Sequence, residues 1–139
     1  MSIAWPADTQ AHTRIVRLQG GGLRFLDAVP EKDFQVVTRP LRGIDSSQHW
    51  RIVDLGGGLC VVQQLSSGRC LDTNGIRVVA RQQREDDSQR WRLTDFGGGF
   101  ITLEQLSSGR FLEGGVDGDF HVTTRPAGDS EQTWRLGDP

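Results

Sequence analysis

The side chains in this chain that could bind or catalyse recur at matching places along it. An ionised carboxylate only accepts hydrogen bonds, whereas a primary amide donates and accepts them, so either type can hold a polar ligand. The same groups can instead serve the fold, a carboxylate by pairing with arginine and a glutamine by satisfying backbone groups in its turn. An acidic residue follows a leucine, and a glutamine stands two residues before a tryptophan, three times each: Asp27, Asp72 and Glu113; Gln48, Gln89 and Gln132.

The nearest arginines in the sequence offer a structural alternative for the carboxylates. Arg24, Arg69 and Arg110 stand shortly before the three acidic residues and could pair with them. Binding of a ligand and pairing with arginine therefore both remain open for each carboxylate at this point. For the glutamines, a role in satisfying the backbone of the turn is favoured over contact with a ligand.

No constellation typical of an enzyme occurs in the sequence. It contains no nucleophile elbow, phosphate-binding loop or dinucleotide-binding fingerprint. His12, His49 and His121 show no metal-ligand spacing, and Asp117 with Asp119 lacks the spacing and closing glutamate of a calcium loop. We therefore predict a protein without catalytic residues, cofactor or bound metal.

Composition limits the remaining partners and the location. The 139 residues suit one domain, and a net charge of −2 argues against a nucleic-acid partner. No stretch approaches the roughly 18 apolar residues of a membrane span. The first residues lack the basic start and apolar core of a secretory signal, so we expect a cytoplasmic protein as synthesised, with leaderless release left open.

A repeat of about 41 residues organises the chain. Residues 56–72 recur closely at 97–113, and a weaker copy lies at 14–27. Trp50, Trp91 and Trp134, which follow the three glutamines, stand 41 and 43 residues apart. We predict an N-terminal extension over 1–11 and one domain over 12–139, made of copy one (about 12–53), copy two (about 54–94) and copy three (about 95–137).

Each copy contains four short strand patterns and no convincing helix. Alternating polarity, hairpin turns at Ser66–Gly68 and at Asn74-Gly75, and 18 glycines favour an all-β fold. Three copies of four strands predict a twelve-stranded β-trefoil, which closes within one chain, whereas a propeller of three blades would need a partner. The core predicted from matching positions is Leu26, Leu71, Leu112; Phe34, Ile76, Phe120; Val36, Val78, Val122; Cys60, Ile101; Val62, Leu103; Leu65, Leu106; and the three tryptophans.

The two cysteines occupy positions that are apolar in other copies. Cys60 aligns with Ile101, and Cys70 aligns with Phe25 and Phe111. A buried free cysteine behaves as a small hydrophobic residue. Two buried free thiols are therefore favoured over a disulfide.

The three acidic strand elements and the three Gln-x-Trp endings resemble the ricin B-chain-like β-trefoil lectins over about residues 12–136. The resemblance implies a pseudo-threefold trefoil with up to three shallow sugar pockets, one per copy. In such a pocket the carboxylate accepts hydrogen bonds from sugar hydroxyls, and a polar residue on the third strand assists it. The residues that the resemblance assigns to carbohydrate are Asp27, Gln35, Gln48, Asp72, Asn74, Gln89, Glu113, His121 and Gln132.

This sequence departs from the family pattern at the aromatic platform that stacks on the sugar. The corresponding positions hold Val37, Val79 and Thr123. The leading hypothesis is a non-enzymatic carbohydrate-binding module with one to three weak sites for glycans or glycoconjugates, copy one first. The alternative is a protein-binding trefoil with degenerate sugar sites, such as an inhibitor, toxin-associated or targeting module, which would contact its partner through the loops at 28–33 and 114–119.

Overall fold

The computed structural model describes residues 13–43, 46–115, 119–128 and 130–139, and over these ranges the fold is all-β with short 3₁₀ turns. Within them, no helix is long and apolar enough to cross a membrane. The predicted extension over 1–11 lies outside the described residues. The strands are β1 (Thr13–Gln19), β2 (Phe25–Val29), β3 (Gln35–Arg39), β4 (Trp50–Gly56), β5 (Leu59–Gln64), β6 (Cys70–Asn74), β7 (Arg77–Arg81), β8 (Trp91–Asp95), β9 (Phe100–Gln105), β10 (Phe111–Glu113), β11 (Thr123–Arg125) and β12 (Trp134–Gly137).

Six strands form a closed antiparallel ring. Strand β1 pairs with β4 and β12, β5 pairs with β4 and β8, and β9 pairs with β8 and β12. Trp50 of β4, for example, lies opposite Val16 on one side and Gln64 on the other. Closure of the ring leaves these strands without a free edge.

The other six strands form three hairpins, β2–β3, β6–β7 and β10–β11. Strand β7 pairs with both β3 and β11, and a bridge between Val37 and His121 connects the third hairpin back to the first. Buried apolar side chains from both the ring and the hairpins form one core cluster. This arrangement is compatible with the predicted twelve-stranded β-trefoil.

The three tryptophans connect the ring to the hairpins. Trp50, Trp91 and Trp134 are fully buried. Each indole N–H donates to a backbone carbonyl in a hairpin strand of its own copy, at 2.9 Å, 3.2 Å and 3.1 Å. The prediction that they anchor the core is confirmed. The accepting carbonyls are those of Leu26, Leu71 and Leu112, which directly precede the three acidic residues.

Some predicted core positions are wrong by one residue. Leu65 and Leu106 are only half-buried, whereas the preceding Gln64 and Gln105 are 1% and 2% exposed. Gln64 donates from Nε2 to the carbonyls of Ala28 and Ser47, and Gln105 donates to the Thr73 hydroxyl and the Ser88 carbonyl. Consecutive strand residues face opposite ways, so a buried, hydrogen-bonded glutamine turns the following leucine outward.

The aromatic positions of the third strand also differ from the prediction. Phe34 packs partly against the core, and Phe120 is half-buried, but Ile76 is 56% exposed. Arg69 lies over the ring of Phe34 and Arg24 over the ring of Phe120, so an arginine covers part of each ring. Ile76 is therefore a correction to the predicted core.

Both cysteines are free and buried, as predicted. Burial raises the pKa of Cys60 and of Cys70 to about 12, with the nearby carboxylates of Asp54 and Asp72 as the second cause for each. A thiol with so high a pKa carries almost no reactive thiolate near neutral pH.

Candidate functional site

One hydrogen-bonded unit recurs in the three copies, and copy one shows it clearly. Asp27 lies on β2, and Gln48 ends the 3₁₀ turn Ser46–Gln48 that leads into Trp50. The Gln48 amide nitrogen donates to Asp27 Oδ2 at 3.3 Å and to the Pro40 carbonyl at 2.9 Å. Its amide oxygen accepts from the Arg42 backbone N–H at 3.0 Å. The amide is thus used fully within the protein.

The other two glutamines repeat this pattern. Gln89 donates to Asp72 at 3.1 Å and to the Gln82 carbonyl at 2.9 Å. Gln132 donates to Glu113 at 3.3 Å and to the Pro126 carbonyl at 2.7 Å. All three glutamines are 3% exposed or less. Their first role is to hold the turn and to orient the carboxylate.

An arginine faces each carboxylate, but not the one nearest in sequence. Arg39 lies 3.7 Å from Asp27, Arg84 lies 3.3 Å from Asp72, and Arg125 lies 3.3 Å from Glu113. The predicted partners Arg24, Arg69 and Arg110 instead donate to the carbonyls of Thr38, Ala80 and Thr124.

Strand geometry explains this correction. Arg24 and Asp27 are an odd number of residues apart, so their side chains leave the chain on opposite faces. Val37 lies directly across the hairpin from Asp27, and Arg39, two residues further on, shares its face. In copies one and three the register between strands therefore decides the partner, whereas in copy two Arg84 lies beyond the end of β7.

Copy one differs from the others in the state of its carboxylate. Asp27 is fully buried, and its Oδ1 accepts no hydrogen bond from the described residues. In copy two, Asp72 Oδ1 accepts from the Thr73 backbone N–H at 2.7 Å. In copy three, Glu113 uses Oε1 for the glutamine and Oε2 for the arginine. A buried carboxylate oxygen without a donor is costly unless a ligand or water supplies one.

The pKa of Asp27 reflects its buried position. Burial raises the pKa of Asp27 above its ordinary 3.8. Ser47, Arg39, Gln48 and Arg42 act in the opposite direction, with Ser47 the largest of the four. Ser47 acts through a side-chain hydrogen bond to the carboxylate, and Oδ1 has no hydrogen bond of good geometry among the described residues.

A cleft of about 370 Å³ opens beside Asp27. This volume lies within the range of about 300–1,000 Å³ that small-molecule sites occupy. Its wall combines three hydroxyls, two guanidinium groups, two carboxylates and one proline ring. The lining residues are Asp27, Ala28, Pro30, Glu31, Arg39, Arg42, Ser46, Ser47 and Ser66.

The cleft lies between two copies. Ser66 belongs to the turn between β5 and β6 in copy two, whereas Asp27, Arg39 and Ser47 belong to copy one. A serine at the tip of a hairpin gives no signal of such a role in the sequence, because only the fold brings it to Asp27. The loop 28–33 supplies Ala28, Pro30 and Glu31.

The remaining residues assigned from the resemblance are dispersed. Gln35 lies on β3 opposite Val29 and Val79 and does not line the cleft. His121 bridges to Val37 and is half-buried. Asn74 ends β6 and is exposed. The structure therefore brings together Asp27 and Gln48 of copy one, Asp72 and Gln89 of copy two, and Glu113 and Gln132 of copy three.

The three positions at which the family has an aromatic platform lie beside the carboxylates. Val37, Val79 and Thr123 lie directly across the hairpins from Asp27, Asp72 and Glu113. Each is thus next to its carboxylate but too small to stack on a sugar ring. The carboxylates of copies two and three already make contacts within the protein. In the loop 114–119, residues 116–118 lie outside the described residues.

The sequence matches the model of the ricin-type β-trefoil lectin domain-like family over residues 46–120, and the chain belongs to this family. No curated protein matches the sequence.

Solved structures share the fold. The designed threefold symmetric protein ThreeFoil is 27% identical, with a TM-score of 0.79 over 90% of this chain and 99% of that chain. The cytolethal distending toxin of Haemophilus ducreyi is 17% identical, with a TM-score of 0.76 over 100% of this chain and 90% of that chain. A Polyporus squamosus lectin bound to a sialylated trisaccharide is 16% identical, with a TM-score of 0.76 over 88% of this chain and 48% of that chain.

Proposed function

We propose that this protein is a non-enzymatic carbohydrate-binding module whose principal site is the cleft between copies one and two. The observation that carries the proposal is Asp27 Oδ1, a buried carboxylate oxygen at the wall of a cleft that has no donor among the described residues. A sugar hydroxyl is a donor of the kind that this oxygen lacks. Membership of a lectin-like family and the sugar-bound Polyporus lectin support the same class of ligand.

The groups around the cleft suit a polyhydroxylated ligand. Asp27 accepts from one hydroxyl, while Arg39 and Arg42 donate to ring or hydroxyl oxygens. The serines can donate or accept as the sugar requires. Pro30 offers the one flat apolar surface among the lining side chains. Without an aromatic platform, a single site binds weakly.

Copies two and three are expected to contribute less. Asp72 accepts from Thr73 N–H, Gln89 and Arg84, so a sugar would have to displace a contact that the protein already makes. Glu113 is likewise paired at both oxygens. We expect one principal site per chain, and useful avidity would come from several sites or several chains acting together.

The test is a glycan array followed by titration calorimetry with the best neutral and acidic sugars. Asp27→Asn keeps the shape but replaces the free acceptor by a donor, and we expect at least about tenfold weaker binding. Asp72→Asn is the matched control and should change affinity less than about threefold. A folded protein that binds no glycan would refute the proposal.

Analysis of the sugar after incubation with the protein distinguishes binding from hydrolysis. Asp27 and Glu31 both line the cleft, and glycosidases use pairs of carboxylates. We expect the bound sugar to be recovered unchanged after long incubation, as measured by mass spectrometry. Cleavage that is lost in Glu31→Gln would make the protein an enzyme instead.

A protein-binding module is the second candidate. The absence of an aromatic at Val37, Val79 and Thr123 favours it, because these positions adjoin the three carboxylates. It predicts a partner whose binding is lost when loop 28–33 is replaced and is unaffected by free sugars. Competition by a sugar that fits the cleft would exclude it.

A further inference from the structure

A second cavity, of about 390 Å³, lies at the opposite end of strand β4 from the sugar cleft. The two share no lining residue. Trp50 begins β4 on the side of Asp27, and Asp54 lies four residues further on, a separation of about 13 Å along a strand. The cavity is lined by Arg14, Ile52, Asp54, Gly56, Gly57, Gly58, Leu59, Cys60, Leu93 and Leu136.

The pseudo-threefold arrangement explains why there is space here. Ile52, Leu93 and Leu136 each follow one of the three core tryptophans by two residues, and all three border the cavity. Arg14 lies opposite Ile52 on the neighbouring strand. At the place that corresponds to Arg14, Leu93 faces Gly58, whose carbonyl accepts from the Leu93 N–H at 2.9 Å.

The third such position is also a glycine. The carbonyl of Gly99 accepts from the Leu136 N–H at 2.8 Å. Two of the three equivalent positions at this end of the barrel therefore carry no side chain. Of the three equivalent positions, that of Arg14 alone carries a side chain. The apolar residues beneath the two glycines are therefore left uncovered.

The lining has a clear division between apolar surface and charge. Four aliphatic side chains and the buried Cys60 supply the apolar part. The Arg14 side chain is exposed and makes no hydrogen bond or ion pair with the described residues. Asp54 also borders the cavity, and its Oδ1 accepts from the Gly56 backbone N–H at 2.8 Å, which holds this carboxylate in the turn. The Arg14 guanidinium is the cationic group of the lining.

We propose that this cavity is a second binding site, for a small amphipathic acid whose apolar body enters between Ile52, Leu93 and Leu136 and whose anionic group pairs with Arg14. Apolar surface gains from leaving water, and a guanidinium matches a carboxylate or sulfonate in geometry. The cavity volume, about 390 Å³, suits a ligand of about ten carbons within the size range of small-molecule sites. Sugars do not compete for this site, since it is separate from Asp27.

The test uses the full chain with three ligands of the same apolar body. Decanoate, decan-1-ol and decylamine are each titrated against the fluorescent anionic probe 1-anilinonaphthalene-8-sulfonate. The emission of this probe rises in apolar surroundings and falls when a ligand displaces it. We expect saturable binding of the probe and tighter binding of decanoate than of decylamine. Arg14→Gln should weaken decanoate about threefold to fivefold, as for one exposed ion pair, and leave decan-1-ol unchanged.

Two further variants control the result. Leu136→Phe narrows the cavity and should weaken all three ligands, while Arg77→Gln removes an exposed arginine elsewhere and should change none. Circular dichroism in the near ultraviolet checks that each variant is folded, because the probe also binds disordered cores.

Three outcomes would overturn the proposal. They are a folded chain that takes up neither probe nor decanoate, equal or tighter binding of decylamine, and unchanged decanoate binding in Arg14→Gln.

Discussion

The guanidinium carbon of Arg24 lies 3.5 Å from the centre of the Phe120 ring, which joins copy one to copy three. Arg69 lies 4.0 Å from the ring centre of Phe34 and joins copy two to copy one. At these two junctions the backbone N–H groups of Thr38 and Ala80 donate to the carbonyls of Phe120 and Phe34. At the third junction, beside Arg110, the Thr124 N–H donates in the same way to the Ile76 carbonyl. Ile76 replaces the aromatic ring there and is 56% exposed.

Ile76→Phe should complete this set of three contacts. A cation–π contact at an exposed site contributes about 0.5–1 kcal/mol, so the variant should be more stable by about that amount. Chemical denaturation followed by tryptophan fluorescence measures the change. Ile76→Leu, which adds no ring, should leave the free energy of unfolding nearly unchanged, and equal behaviour of the two variants would contradict the explanation.

Gln89→Leu should destabilise the protein strongly. The substitution leaves the Gln82 carbonyl and the Arg84 N–H without partners and removes a donor from Asp72. Unpaired buried groups cost about 1–3 kcal/mol each, so we expect a loss of about 2–4 kcal/mol. The exposed Gln82→Leu is the control from the same loop and should cost less than about 0.5 kcal/mol. A mild effect of Gln89→Leu, measured in urea, would show that the amide does not hold the turn.

The raised pKa of Asp27 predicts a pH dependence with a definite sign. Burial makes the folded protein bind this proton more tightly than the unfolded chain, whose carboxyl titrates near 3.8. The contribution of Asp27 to stability is therefore fully present below 3.8 and is lost as the pH rises through the higher folded value. The variant Asp27→Asn lacks this pH-dependent contribution to the free energy of unfolding.

The measurement is the difference in unfolding free energy between Asp27→Asn and the unsubstituted protein from pH 3.5 to 7. We expect the variant to gain relative to the unsubstituted protein as the pH rises. Sugar binding should change in the other direction and weaken in acid, because a proton on Oδ1 removes the acceptor. A pH-independent difference in stability would contradict the assignment.

Both thiols should be unreactive in the folded protein. Burial raises the pKa of Cys60 and Cys70 to about 12, so the thiolate is scarce and shielded at pH 8. A colorimetric disulfide reagent should label neither cysteine before unfolding and both in denaturant. Fast labelling of one thiol in the native protein would mean that its strand opens locally.

The repeats and the tryptophan core could be predicted from the sequence, because both depend on repetition. The spacing of Trp50, Trp91 and Trp134 identified the copies and the core, because a buried indole must recur wherever the same unit packs on itself. The hairpin turn predicted at Asn74-Gly75 is also present, between β6 and β7.

Features that depend on pairing between strands could not be predicted in the same way. The partner of Asp27 is Arg39 because of the register of β2 with β3, and no pattern within one strand carries that information. Burial of Gln64 in place of Leu65 depends on carbonyls of Ala28 and Ser47 that come from copy one. Ser66 reaches the cleft for the same reason, through contact between copies.

The cleft beside Asp27 exists only where the hairpin turn of copy two, at Ser66, meets copy one. Copy one by itself would lack this wall. The site therefore depends on the order in which the repeats follow one another in the chain.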